Sequence, residues 1–186
     1  METNMARKEM ITQSDLLHAA FEMAKEEGYE NVTARKLAAK AGCSTQPIFR
    51  VYHGMEELGD DLFEMAAGYF EMFYGEFPKT YDTPFVNLGL AYIRFALENK
   101  NLFRMLFLAE NRHGKSLYDL VNGTMGAVGK EMASAKAFGC QNPQEMFMKM
   151  WIFIHGAAGM SLTGDYDLTE SETVNLLTEA YQSFLK

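Results

Sequence analysis

Residues 31–55 read NVTARKLAAKAGCSTQPIFRVYHGM. The stretch contains no Asp or Glu, and no other run of its length in the chain is free of acids. Arg35, Lys36, Lys40 and Arg50 give it a formal charge of +4, while the 186-residue chain as a whole carries −8, which leaves −12 for the remainder. Its local grammar is helix, tight turn, helix. Thr33 can accept an early backbone N–H as an N-cap. Ala34, Leu37, Ala38 and Ala41 recur at helical spacing and predict one buried stripe. Gly42 follows, where a left-handed C-cap needs a residue without Cβ. Ser44 is placed to cap a second helix, with Pro47 in its first turn, where the missing N–H costs little. Ile48, Val51 and Tyr52 fall on the inner side.

Two short helices joined by a Gly-containing turn match the helix-turn-helix motif. In that motif the second helix enters the DNA major groove and its early residues meet base edges. Thr45, Gln46 and Pro47 take that place, with Phe49 and Arg50 a turn later. Gln can bond adenine in two places, and Thr and Pro can pack on a thymine methyl. Lys36, Lys40 and Arg50 suit phosphates, which set register rather than sequence. The candidate DNA-contact set is Thr33, Lys36, Lys40, Ser44, Thr45, Gln46, Pro47, Phe49, Arg50, Tyr52 and His53.

From about Ser14 to Leu62 the chain resembles the N-terminal domain of tetracycline-repressor-type (TetR) transcription regulators. Leu17, Ala19, Ala20, Phe21, Gly28, Tyr29, Val32, Thr33, Arg35, Leu37, Ala38, Ala41, Gly42, Ser44, Ile48, Phe49, Tyr52, Glu56, Glu57 and Leu58 carry the resemblance, in order and without gaps. Two positions depart from the family pattern. Phe49 stands where the family usually has a Tyr whose hydroxyl bonds a phosphate, and Met55 where it usually has a Lys that caps the DNA contact. Both changes remove polar anchors. The resemblance implies a ligand-responsive regulator, most often a repressor, whose two subunits place recognition helices in successive major grooves of a palindromic operator, about 34–36 Å apart.

The chain is long enough for one domain or two small ones with a sizeable core. Four prolines and no alternating apolar/polar run predict an all-α protein. Helices are expected near 13–28, 34–41, 45–52, 55–77, 84–99, 102–109, 116–137, 143–163 and 170–185, about nine in all. Thr12-x-x-Asp15, Asn142-Pro143-x-Glu145 and Thr169-x-x-Glu172 resemble capping boxes, and Thr83-Pro84 sets a cap before a first-turn proline. The expected architecture is a three-helix DNA-binding domain over 1–54, joined by the long helix to a ligand-binding and dimerisation domain over 55–186. The first ten residues are polar and unlike a signal peptide, and the longest nearly apolar run, 150–164, is shorter than a membrane span. A cytoplasmic protein is therefore expected, with no membrane partner.

The second half is rich in Met and Phe. Met adapts to irregular cavities and suits varied apolar ligands. A pocket between the middle helices is expected to use some of Met65, Tyr69, Phe95, Met105, Met125, Trp151 and His155, and to take a small apolar or aromatic effector. The run Trp151-Ile152-Phe153-Ile154-His155-Gly156 resembles the Trp…His-Gly signature in the C-terminal domain of one TetR-type subgroup. The last two helices resemble the pair that forms the dimer interface in that family, with Leu176, Leu177, Tyr181 and Phe184 as the apolar face.

Catalytic and metal chemistry find no footing in the sequence. Gly114-Lys115-Ser116 has Ala109 where a phosphate loop needs glycine. Gly123, Gly126 and Gly129 suggest close packing or a distorted turn rather than a dinucleotide site. Asp165-Tyr166-Asp167 lacks the glycine of a calcium loop. Cys43 and Cys140 have no ligand spacing, and Cys43 is expected to be a buried small side chain. No enzyme activity, metal or cofactor is expected. The rival reading is a helical ligand-binding or adaptor protein that has lost specific DNA binding, prompted by Phe49, Met55 and the acidic first helix with Glu22, Glu26, Glu27 and Glu30.

Overall fold

Side-chain caps set the helix starts in this chain, and the computed structural model, which describes residues 11–185, bears most of them out. Among the described residues there are ten α-helices and no strand: α1 Gln13–Glu27, α2 Ala34–Lys40, α3 Gln46–Val51, α4 Met55–Glu76, α5 Val86–Glu98, α6 Lys100–Phe103, α7 Leu117–Asn122, α8 Ala127–Ala137, α9 Pro143–Thr163 and α10 Glu170–Phe184. The all-α expectation holds. The polar first ten residues lie outside the described ones. The chain forms two compact units that divide between Met65 and Ala66, inside α4.

In the N-terminal unit, Thr12 and Asp15 form the expected capping box on α1, and Thr33 accepts from Lys36 N on α2. Gly42, at φ +65°, closes α2 as a left-handed cap. Its N–H donates to Ala39 O at 3.2 Å and Cys43 N–H donates to Ala38 O at 2.9 Å, which satisfies the last carbonyls of the helix. The core is made by Leu16, Ala20 and Met23 of α1, Leu37 of α2, Ile48 of α3, and Leu58 and Leu62 of α4, all buried. Ser44 does not cap α3. Thr45 takes the N-cap position in a helical conformation with no side-chain bond, so the first turn of α3 keeps its N–H groups open.

In the C-terminal unit α5 packs against α9 and α10, and almost every residue of α5 is buried. Gly89 permits the approach: a Cβ there would lie 2.9 Å from Leu177 Cδ1 and 3.0 Å from Ile154 Cδ1. Asn142 and Thr169 cap α9 and α10 as expected.

Three expectations are corrected. Thr83 does not cap α5; the N-cap is Phe85, at φ +67°, whose N–H donates to Glu131 Oε2 at 2.5 Å. The helix expected over 102–109 starts at Lys100 and widens into a π-helical turn over Arg104–Leu108. The helix expected over 116–137 breaks into α7 and α8 around Gly123 (φ +55°) and Gly126 (φ +65°). Glu71 of α4 holds the break, accepting from Thr124 Oγ1 at 2.5 Å and Met125 N at 2.9 Å.

Candidate nucleic-acid interface and buried polar cluster

The start of α3 is the exposed feature of the N-terminal unit. Ile48 is fully buried and anchors the helix, which leaves Thr45, Gln46, Phe49 and Arg50 exposed and Pro47 partly so. Together with Ser44 they line one open hollow. Phe49 keeps 52% of its surface in solvent. The Arg50 guanidinium reaches the carbonyl of Ile11 at 3.5 Å.

Thr33, Lys36 and Lys40 are exposed on α2, but both lysines are engaged. Lys36 Nζ donates to Asn31 Oδ1 at 2.7 Å and lies 3.3 Å from Glu27 Oε2. Lys40 Nζ lies 2.9 Å from Glu26 Oε2. The acids of α1 thus draw on the cations of the basic island. His53 is exposed before α4, and Glu57 reaches back to it, accepting from His53 N at 2.7 Å with the ring Nδ1 at 2.9 Å. The His53 backbone N–H, followed by its ring, holds the Glu57 carboxyl below the usual range.

Tyr52 departs from the expected contact set. It is fully buried, and its hydroxyl donates to Asp61 Oδ2 at 3.2 Å, an oxygen that also accepts from Gln13 Nε2 at 3.0 Å. Tyr52 therefore positions α3 from beneath and does not present a surface. Cys43 also departs, being half-buried rather than buried.

The expected pocket residues are distributed unevenly. Met65 falls in the N-terminal unit. Met125 is exposed on the α7–α8 break, where its methyl lies against Gly75. Tyr69 and Phe95 meet at 6.2 Å between ring centres. Trp151 and His155 join one aromatic cluster with Tyr92, Phe103 and Phe107. The Tyr92 and Trp151 rings are 4.7 Å apart, edge to face, a geometry their quadrupoles favour. Met105 is buried on the π-helical turn.

Inside this apolar cluster sits a small polar group. Tyr92 Oη and His155 Nδ1 are 2.9 Å apart. Burial pushes the Tyr92 phenol well above its ordinary value, with Arg112 opposing. Burial, and then the charge of Arg112, pushes His155 below its ordinary value, so the imidazole is neutral at neutral pH. The Nε of Arg112 is buried and has no hydrogen-bond partner among the described residues. Neither Tyr92 nor Arg112 was anticipated from the sequence. Tyr92 lies in a buried apolar helix and Arg112 in a loop, and neither position carries a periodic signal.

On α9 a second face is apolar and open. Ile152 keeps 66% of its surface exposed, flanked at helical spacing by Met148, Gly156 and Met160, all exposed. Leu176 lines the same groove. Leu177 and Tyr181, expected on the dimer face, are instead buried within the chain, because residues 173, 177 and 181 of α10 form the stripe turned inward. Among the described residues no cluster of His, Cys, Asp and Glu could hold a metal ion, and no helix is long and apolar enough to cross a membrane.

Residues 16–62 match the sequence profile of the tetR family of bacterial regulatory proteins, and residues 85–182 match that of the tetracyclin repressor-like C-terminal domain. No curated protein matches the chain. Several solved structures share its fold. A protein with unknown function from Rhodococcus sp. RHA1 is 19% identical, with a TM-score of 0.66 over 97% of each chain. A proposed TetR-family regulator from Vibrio parahaemolyticus is 16% identical, with a TM-score of 0.64 over 91% of this chain and 96% of that one. A further proposed TetR-family regulator, from Rhodococcus sp., is 16% identical, with a TM-score of 0.63 over 93% of this chain and 98% of that one.

Proposed function

The chain belongs to the tetR family of bacterial regulatory proteins and is a DNA-binding transcriptional regulator, and from that premise we propose that it is a ligand-responsive repressor. As a cytoplasmic homodimer it holds a palindromic operator and releases it when a small apolar or aromatic molecule binds the C-terminal unit. The observation that carries this reading is the open first turn of α3, where Gln46 and Thr45 stand exposed over the buried anchor Ile48. Gln46 reads a base, and Lys36, Lys40 and Arg50 neutralise phosphates. The exposed stripe of Met148, Ile152, Gly156 and Met160 on α9, with Leu176 of α10, supports pairing with a second copy. An effector acts only through different affinity for the DNA-competent and DNA-incompetent states. No catalytic role is proposed.

A mobility-shift assay with DNA from around the protein's own gene tests this function. A retarded complex that survives excess unrelated DNA is the expected result. Binding to all DNA alike, or none, favours the rival, a helical ligand-binding or adaptor protein without specific DNA binding. The engagement of Lys36 and Lys40 by Glu27 and Glu26 is the observation in that rival's favour.

A further inference from the structure

The exposed face of α3 sets an apolar side chain beside a polar one. Gln46, Phe49 and Arg50 are exposed at i, i+3 and i+4, the spacing of one helix face, while Ile48 turns inward. All three line the same open hollow. The Arg50 guanidinium reaches back to the carbonyl of Ile11 at 3.5 Å, so Phe49 is the neighbour of Gln46 that stands over the hollow. A phenyl ring carries no hydrogen-bond donor or acceptor. It cannot bond a phosphate, and laid against the polar edge of a base it removes water without replacing the lost hydrogen bonds. The major groove holds one apolar feature, the C5-methyl group of thymine.

We infer that Phe49 determines sequence specificity, its ring packing on a thymine methyl one base pair away from the base read by Gln46. The inference rests on the DNA-binding reading above and names the base that one side chain selects. Three residues along a helix advance about 4.5 Å. Successive base pairs are about 3.4 Å apart. The two side chains therefore reach neighbouring pairs rather than the same one. Gln46 selects by hydrogen bonds, and Phe49 selects by burial. Cytosine in the same place offers an amino donor and no methyl, so the ring discriminates against it.

The full-length protein first selects its operator from a pool of random duplexes. Each thymine of the selected site is then replaced in turn by deoxyuridine, which removes the methyl group and keeps the base pairing, and Kd is measured by fluorescence anisotropy. The expected result is one thymine in each half-site whose replacement weakens binding by about fourfold, the worth of one buried methyl group. Phe49→Ala should bind the thymine and deoxyuridine duplexes alike at that position. Phe49→Leu should keep part of the difference, since an aliphatic side chain also packs on a methyl, and it covers the case in which Ala disturbs α3. A selected operator with no thymine sensitive to the replacement would overturn the inference and leave DNA binding intact. A sensitivity that survives both Phe49→Ala and Phe49→Leu undiminished would also overturn it, since the methyl is then read by another side chain. A pool from which no sequence is enriched would remove the inference together with sequence-specific DNA binding.

Discussion

Replacing Glu26 and Glu27 together by Gln should tighten DNA binding. Lys36 and Lys40 are the cations of α2 proposed to meet phosphates, yet each lies beside a carboxylate of α1, at 3.3 and 2.9 Å. The pairs are solvated: side-chain exposure is 49% and 48% for Lys36 and Glu27, and 34% and 61% for Lys40 and Glu26. Exposed ion pairs of this kind contribute about 0.2–1 kcal/mol each. A lysine that moves to a phosphate must give that up. Removing both carboxylates therefore spares about 0.4–2 kcal/mol, a gain of about two- to thirty-fold in Kd. Lys36 should give the smaller share, because its 2.7 Å bond to Asn31 Oδ1 remains.

Fluorescence anisotropy with a labelled duplex, repeated across a range of salt, separates the possibilities. If both lysines move to phosphates in the unaltered complex, the double Gln variant keeps the slope of log K against log salt and gains affinity. Lys40→Ala should flatten that slope by about 0.9, the counterions released per phosphate contact. If the double Gln variant leaves Kd unchanged and Lys40→Ala leaves the slope unchanged, α2 does not lie along DNA, and the adaptor reading moves ahead.

Further outcomes are expected. Gln46→Ala should cost about 1–3 kcal/mol on the cognate site and relax preference at one base pair, measured by competition between operator variants. Ile152→Glu should convert a dimer to a monomer in analytical ultracentrifugation, since a charge replaces an apolar contact worth about 1.5–3 kcal/mol on each copy; a dimer unchanged at micromolar concentration would rule out the α9 face. Gly123→Ala should destabilise the fold by about 1–3 kcal/mol in thermal unfolding, because φ +55° with ψ −174° suits only glycine and a Cβ would meet the Glu71 carboxylate at 3.1 Å. Glu131→Gln should raise stability at neutral pH. Burial pushes the Glu131 carboxyl up, against the Phe85 N–H and Lys79. The folded state thus holds its proton more tightly than the unfolded state, and stability falls as pH rises from the ordinary carboxylate range through the raised value. The gain from Gln should disappear on acidification, which denaturant melts at several pH values would show.

Local signals were legible in the sequence, and tertiary ones were not. Thr12, Thr33, Asn142 and Thr169 cap helices where expected, because a cap needs only a side chain and the next three residues. Thr83-Pro84 carried the same local signal and failed, because Glu131, forty-six residues on, holds the Phe85 N–H and moves the helix start. The break between α7 and α8 depends likewise on Glu71 of α4. The exposure of Gln46 over Ile48 followed from helical periodicity. The pairing of Lys36 and Lys40 did not, since it depends on how α1 crosses α2. Tyr52 was recognisable as an inner residue by spacing, and its assignment to the DNA set ignored that spacing.

The sequence of α9 shows a further limit. Its 21 residues are apolar on nearly every side, so no single stripe stands out. A helix of this kind has two faces to cover. One, carrying Met150, Trp151, Ile154 and Ala158, is buried within the chain. The other, with Ile152 exposed beside the buried Trp151, is the face proposed for a second copy. His155 and Gly156 are likewise neighbours, one bonded to Tyr92 and the other on the open face. In the proposed mechanism an effector bound in the C-terminal unit near Trp151 and His155 acts on the same turns of α9 that meet the partner subunit. Packed interfaces respond to small shifts by changing between discrete arrangements, not by gradual deformation. Effector binding and dimer geometry would then be coupled through one rigid helix. The coupling predicts reciprocity: operator DNA should weaken effector binding at Trp151 by the same factor by which the effector weakens operator binding. Trp151 titrations with and without operator DNA measure the first factor and anisotropy the second, and unequal factors would refute coupling between the two sites.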